Sequence, residues 1–201
     1  MKTTTALLIL LLAPALSAMG GSAGPSAAEV RATMRASFVA HGQAGLERLD
    51  QDDTQKACSQ AEPPAAKVAD AIAAANRKRV VYPADGKYLG DWKRGEAIAE
   101  EGTGLQFSDN PAKPNGGNCY ACHQMASSEI AYGTIGPSLQ QYGKRGTTEP
   151  VLKLAWGMLY DMKSTVACSA MPRFGAKHIL TEQQIKDVMA YLFDPASPVN
   201  H

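Results

Sequence analysis

Apolar positions along the chain fall into stretches of two kinds. The first, Ala6-Leu7-Leu8-Ile9-Leu10-Leu11-Leu12-Ala13, is continuous, follows Lys2 and gives way to the small residues Ala15, Ser17 and Ala18. A short basic start, a brief apolar run and small residues form the pattern of an export leader, which we place at residues 1–18. The alternative is an uncleaved anchor, but a spanning helix needs about 20 apolar residues. The later stretches are periodic. Val30, Met34 and Phe38 recur every four positions from Ala27 onward, which is helix spacing. Leu46 and Leu49 extend this face past Gly42 and Gly45. Val68, Ile72 and Ala75 mark a second amphipathic helix after Pro63-Pro64. It ends in Asn76-Arg77-Lys78-Arg79, where cations suit the negative end of the helix dipole.

Val80-Val81-Tyr82-Pro83 is a short extended piece, and Asp85-Gly86 is a turn. Asp91 caps a helix running from Trp92 to about Glu101 and closed by Gly102. The Gly-, Pro- and Asn-rich stretch 102–118 is loop. A short helix is expected from Tyr120 to Met125, and a turn at Gly133-Thr134-Ile135-Gly136-Pro137. Leu152, Ala155, Trp156 and Leu159 share one face of a helix from Val151 to Met162. Ala170 to His178 is loop. Thr181 and Gln184 then form a capping box for a last helix with Ile185, Val188, Met189 and Leu192 inside, stopped by Pro195. No alternating pattern argues for a sheet, so the chain is all-α. Three parts follow: the leader at 1–18, a helical N-terminal extension at 19–86, and a domain at 87–201.

Charge changes the picture little. Without residues 1–18 the chain loses Lys2 and no acidic residue, leaving 19 basic and 19 acidic side chains. That balance argues against binding nucleic acid or an anionic surface, and no membrane span remains after processing. Aromatic residues make up only 6%, as suits a core partly filled by a large flat cofactor.

The cysteines carry the chemistry. Cys119-Tyr120-Ala121-Cys122-His123 is the attachment signature of a c-type haem. Two thiols at this spacing add across the two vinyl groups of one porphyrin edge, and the adjacent imidazole reaches the iron. A thioredoxin-like pair would need a βαβ context. Zinc would need two more ligands at suitable spacing, whereas Cys58 and Cys168 stand alone. One covalent haem c is therefore expected, in a class I cytochrome c fold. His123 is its proximal ligand, and its other ring nitrogen needs an acceptor. The Pro137 carbonyl is placed to serve.

The distal ligand lies C-terminal of the motif. A thioether raises the potential into a range useful for electron transfer. Met125 is too near His123 to reach the opposite face, Met158 and Met189 lie on helices where packing explains them, and Met162 is a further candidate. Met171, in the loop Ser169-Ala170-Met171-Pro172-Arg173-Phe174-Gly175, is the preferred ligand, with His178 the best histidine competitor. His41 and His201 read as surface residues. Cys58 and Cys168 are an even remainder in an exported chain, for which a disulfide is the default. The alternatives are two free thiols or a bond to a partner chain. A Cys58–Cys168 bridge would staple the extension to the Met171 loop.

Longer stretches carry a resemblance. Gly90-Asp91-Trp92-Lys93-Arg94-Gly95-Glu96, Gly116-Gly117-Asn118-Cys119 through His123, Gly133 to Leu139, Met171 to Gly175 and Leu180 to Ile185 resemble the SoxX subunits of SoxAX cytochromes. The resemblance spans residues 87–192 and leaves the extension uncovered. It implies a periplasmic heterodimer with a SoxA-like cytochrome. That pair couples thiosulfate oxidatively to a cysteine of a SoxY-like carrier protein. This chain would then be the electron-transfer subunit of a heterodimeric L-cysteine S-thiosulfotransferase. It would have no catalytic centre of its own, and would pass electrons to a downstream acceptor. The resemblance also implies His123/Met171 ligation. A stand-alone periplasmic electron carrier and a haem-based ligand sensor are the rival readings.

Overall fold

The computed structural model describes residues 24–201. The leader placed at residues 1–18 and the start of the extension lie outside the described residues. Helix α1 (Ala27–Ser37) belongs to one compact unit and residues 38–201 form another. Ser26 and Glu29 cap α1 reciprocally: Glu29 N–H donates to Ser26 Oγ (3.3 Å) and Ser26 N–H to Glu29 Oε2 (2.7 Å). None of its residues is buried.

The second unit contains α2 (Asp53–Cys58), α3 (Ala66–Arg77), α4 (Trp92–Glu100), α5 (Glu149–Tyr160) and α6 (Glu182–Phe193). Among the described residues there is no strand, only an isolated bridge between His41 and Ala44. Residues 38–86, read from the sequence as extension, sit in the same compact unit as residues 87–201.

The α4–α6 packing organises the core. Asp91 caps α4 by accepting from Lys93 N–H (2.8 Å) and Arg94 N–H (3.4 Å). One turn on, Gly95 meets the backbone of α6, and a methyl there would collide with the Asp187 carbonyl. Asp187 locks the contact. It accepts from Asp91 N–H (2.9 Å), Gln183 Nε2 (2.9 Å), Arg94 Nε (2.8 Å) and Arg94 Nη2 (3.0 Å). Burial alone would raise its pKa, but the Arg94 hydrogen bonds and the Asp91 N–H hold it below the ordinary carboxylate value. The Thr181–Gln184 capping box starts α6, and every residue from Ile185 to Phe193 is buried. Trp156 of α5 fills the centre, donating to the Val81 carbonyl (2.8 Å) with Tyr88 edge-on at 5.8 Å.

Several local expectations are corrected. Between the two helices expected in the extension lies a further short one, α2, whose last residue is Cys58 and whose capping box is Asp52 with Gln55. Leu46–Leu49 is a separate 3-10 turn after Gly45. Helix α5 ends at Tyr160, and Met162 begins a new 3-10 turn capped by Asp161. The helix expected over Tyr120–Met125 is a single 3-10 turn, Cys119–Ala121. The reason lies in its carbonyls. That of Tyr120, which would take Gln124 N–H in an α-helix, accepts from Gly133 N–H instead (2.8 Å), so the helix does not propagate past the first turn.

Candidate haem site

The motif turn opens on Asn118, held left-handed (φ 46°). Gly117 N–H donates to the Ile98 carbonyl of α4 (2.7 Å) and Asn118 N–H to that of Glu101 (2.9 Å), which fixes the turn at the end of α4. From inside, Tyr120 is buried and its hydroxyl lies 2.7 Å from that of Tyr191 on α6, while accepting from Ala126 N–H (3.1 Å). Burial first, then the Tyr120 hydroxyl, pushes the Tyr191 phenol well above its ordinary pKa, so it stays neutral. Cys119, Cys122 and His123 therefore project from a turn pinned to both α4 and α6.

Both thiols of this turn are free. Cys119 is part-buried as a residue, yet desolvation of its sulfur, with the Cys122 thiol as second cause, pushes its pKa up to about 12. His123 Nδ1 lies 2.7 Å from the Pro137 carbonyl oxygen. A carbonyl only accepts, so Nδ1 carries the proton and Nε2 keeps its lone pair for a metal. Gly136 makes this possible: a methyl there would run into the His123 ring. Gly133 likewise leaves room for the Ala121 carbonyl.

The Met171 loop is held from several sides. Cys168 is joined to Cys58 by a disulfide across 110 residues, with Cα atoms 5.4 Å apart. Lys163 Nζ donates to the Ser169 carbonyl (2.5 Å), and Met171 N–H to Ser169 Oγ (3.1 Å). Arg173, buried, donates from Nη2 to Asp52 Oδ2 (2.5 Å), and Lys177 Nζ lies 3.3 Å from the same oxygen. Partial burial would raise the Asp52 pKa, but the Gln55 N–H, then Arg173 and Lys177, bring it down to about 2. Met171 is part-buried against the main core, as is Cys119.

The rival ligands are placed differently. Met125 and Met189 are enclosed in the core at 1% and 0% exposure, which commits their sulfurs to packing. Met158 and Met162 are half-buried, on and just after α5. His178 is exposed with a left-handed backbone (φ 54°), His41 packs edge-on against Phe107 at 5.4 Å, and His201 is exposed.

The residues present suit a covalent haem. Two free thiols share one turn with a histidine whose outer nitrogen is already occupied, as a ligating imidazole requires. Zinc suits them less well: among the described residues no group of three or more His, Cys, Asp or Glu side chains could hold a metal ion.

Sequence reasoning did not find several of the partners that hold these groups. Tyr120 occupies a variable position of the motif, and nothing local points to Tyr191. Asp52 could have been found, since Asp52 and Gln55 stand at capping-box spacing. Arg173 and Asp52 are 121 positions apart, beyond any local pattern.

Among the described residues no helix is long and apolar enough to cross a membrane. The chain is similar to an uncharacterized lipoprotein of Aquifex aeolicus (strain VF5), with 42% identity over 156 residues, covering 75% of this chain and 73% of that protein. A crystal structure of SoxXA from P. pantotrophus matches with a TM-score of 0.39 and 27% identity, over 59% of this chain and 95% of that one. The cytochrome c family matches residues 93–194, which takes in the motif turn, its α4 and α6 supports and the Met171 loop. The chain thus belongs to the cytochrome c family, with the class I fold, covalently bound haem c and the electron-transfer chemistry that membership entails.

Proposed function

We propose that this protein is the monohaem, SoxX-like subunit of a SoxAX-type complex. In that role it receives electrons from a SoxA-like partner while thiosulfate is coupled to a cysteine of a SoxY-like carrier. The bond-forming chemistry belongs to the partner, and this chain is the electron-transfer subunit of the thiosulfotransferase. Haem c with histidine and thioether ligands supplies a one-electron centre whose potential favours the ferrous state. Cys119 and Cys122 would hold the group covalently, His123 Nε2 and Met171 Sδ would ligate its iron, and the Pro137 carbonyl fixes the His123 tautomer.

The observation that carries the reading is the segment after the motif. From Ile130 to Gly143 no residue is charged, and Ile130 and Ile135 are 90% and 78% exposed. This stretch is bonded to the motif through Gly133 N–H to the Tyr120 carbonyl, Gly136 N–H to Cys122 and Leu139 N–H to Gln124, all at 2.8 Å. An uncharged, apolar surface joined to the electron-carrying turn suits a lasting partner. Transient encounters steered at long range favour a strongly charged face. The Gly-Gly-Asn-Cys and Gly-Thr-Ile-Gly-Pro context supports a SoxA-like cytochrome as that partner. Export to the periplasm is supported by the disulfide and by a relative described as a lipoprotein.

The test is co-expression with a SoxA-like cytochrome and purification through a tag on one chain. Co-elution is expected, with thiosulfate reducing this haem only when partner and carrier are both present. A chain that elutes alone and is reduced equally well by unrelated donors is a stand-alone carrier.

A further inference from the structure

Residues 41–58 run as a strap between two loops. At one end, Gln43 Nε2 donates to the Asp109 carbonyl (3.2 Å), Arg48 Nη1 to that of Leu105 (2.5 Å), and His41 packs on Phe107. These partners lie in the loop that leads into the haem motif. At the other end, Asp52 holds Arg173 and Lys177, and Cys58 is bonded to Cys168. Helix α2, which joins these two anchors, is itself tied down: buried Thr54 accepts from Asn76 Nδ2 of α3 (3.1 Å). Arg77 of α3 in turn donates to the Ser164 carbonyl (2.9 Å), just before the Met171 loop.

Met171 lies three residues after one anchor and two before the other. A ligand bracketed so closely cannot swing away unless an anchor yields. The two anchors differ in kind. The bridge limits how far the loop can travel, while the ion pair fixes the side on which Arg173, and with it the following Phe174-Gly175 turn, is buried. Arg173 is only 8% exposed, so without its carboxylate it must either stay buried uncompensated or move outward and carry the loop with it.

We infer that Asp52 is a positioning residue for the thioether ligand: through Arg173 it keeps the Met171 loop closed over the distal side of the site. The inference rests on Met171 ligation as proposed above. Asp52 touches neither substrate nor cofactor and acts only through Arg173 and Lys177.

The experiment uses the holoprotein and the variants Asp52→Asn and Asp52→Glu. Asparagine is as good an N-cap as aspartate, so D52N leaves α2 capped through its one oxygen and removes the charge and the acceptor that face Arg173. Two readouts are taken on ferric protein: the near-red sulfur-to-iron charge-transfer band and the affinity for added imidazole, which competes with the thioether. The parent shows the band and binds imidazole weakly. D52N is expected to bind imidazole at least tenfold more tightly, equivalent to about 1.4 kcal/mol, with the band weakened. D52E restores most of the parental behaviour. Arg173→Gln removes the same pair from its buried side, and supplies the measurement should D52N fail to accumulate. A parent with the band whose D52N and R173Q variants bind imidazole no more tightly overturns the positioning role alone. A parent without the band overturns Met171 ligation, and this inference with it.

Discussion

Asp187→Asn tests the packing on which the haem turn stands. Asp187 is 3% exposed and accepts four hydrogen bonds, two of them from the Arg94 guanidinium. Asparagine offers one oxygen, and its amide N–H groups would face donors. Removing one partner of a fully buried ion pair costs about 3–5 kcal/mol. Here Arg94 is 58% exposed and can turn to solvent, which brings the expected loss to about 2 kcal/mol. For a domain of this size that is a fall in melting temperature of about 4–8 °C. The assay is denaturant and thermal unfolding of the holoprotein, followed by far-ultraviolet circular dichroism and by the haem absorbance together. The pH dependence supplies a second check. The folded pKa of Asp187 lies below its ordinary value, so its contribution is complete above about pH 5 and disappears as pH falls through about 4 and below. The gap between parent and D187N should therefore close in acid. A loss below about 0.5 kcal/mol at pH 7, or a gap that stays constant down to pH 3, refutes the reasoning.

Other expectations follow from the same geometry. Gly136→Ala places a methyl in the His123 ring and is expected to lower the yield of haem-loaded protein severalfold, read as the ratio of haem absorbance to protein; normal loading with an unchanged spectrum argues against the close approach. Tyr120→Phe strips the buried Ala126 N–H and the Tyr191 hydroxyl of a partner, at a cost of about 1–3 kcal/mol in chemical unfolding; a neutral result means the hydroxyl pair is not a constraint on the motif. The Cys58→Ser/Cys168→Ser variant opens a link across 110 residues, for which the chain-entropy model gives about 4–5 kcal/mol. Differential unfolding against the parent checks it, and a difference under 1 kcal/mol would show that the bridge hardly restrains the unfolded chain.

The residues that would hold a haem were legible because their chemistry has a fixed local spacing. Two thiols and a histidine within Cys119–His123 can be read without any fold. The Gly136-Pro137 turn was legible for a related reason, since an acceptor for Nδ1 must come from a nearby loop. Periodicity located α1, α3, α5 and α6, whose apolar faces repeat over at least two turns, and α4 was read from its Asp91 cap and the closing Gly102. It missed α2, whose six residues bury only Thr54, too few to form a pattern. It also overextended the haem turn, because the group that stops it, Gly133 N–H on the Tyr120 carbonyl, arrives from beyond the local window. Supports such as Tyr191 and Asp187 were invisible as supports, although Asp187 is a charged residue on a helix with no exposed face after its first turn. Burying a carboxylate there makes sense only once Arg94 and Asp91 are brought across from α4.

The Tyr120–Tyr191 pair has a consequence for timing. The chain is synthesised from its N-terminus, so Tyr120 emerges well before Tyr191, 71 positions later. Until α6 arrives, the variable residue of the motif has no partner and the turn has no inner wall. Docking of the final helix supplies both, and Tyr120 is then buried. The setting of the motif turn therefore waits on the last helix to be made, and a substitution that slows the docking of α6 would delay the turn from which Cys119, Cys122 and His123 project.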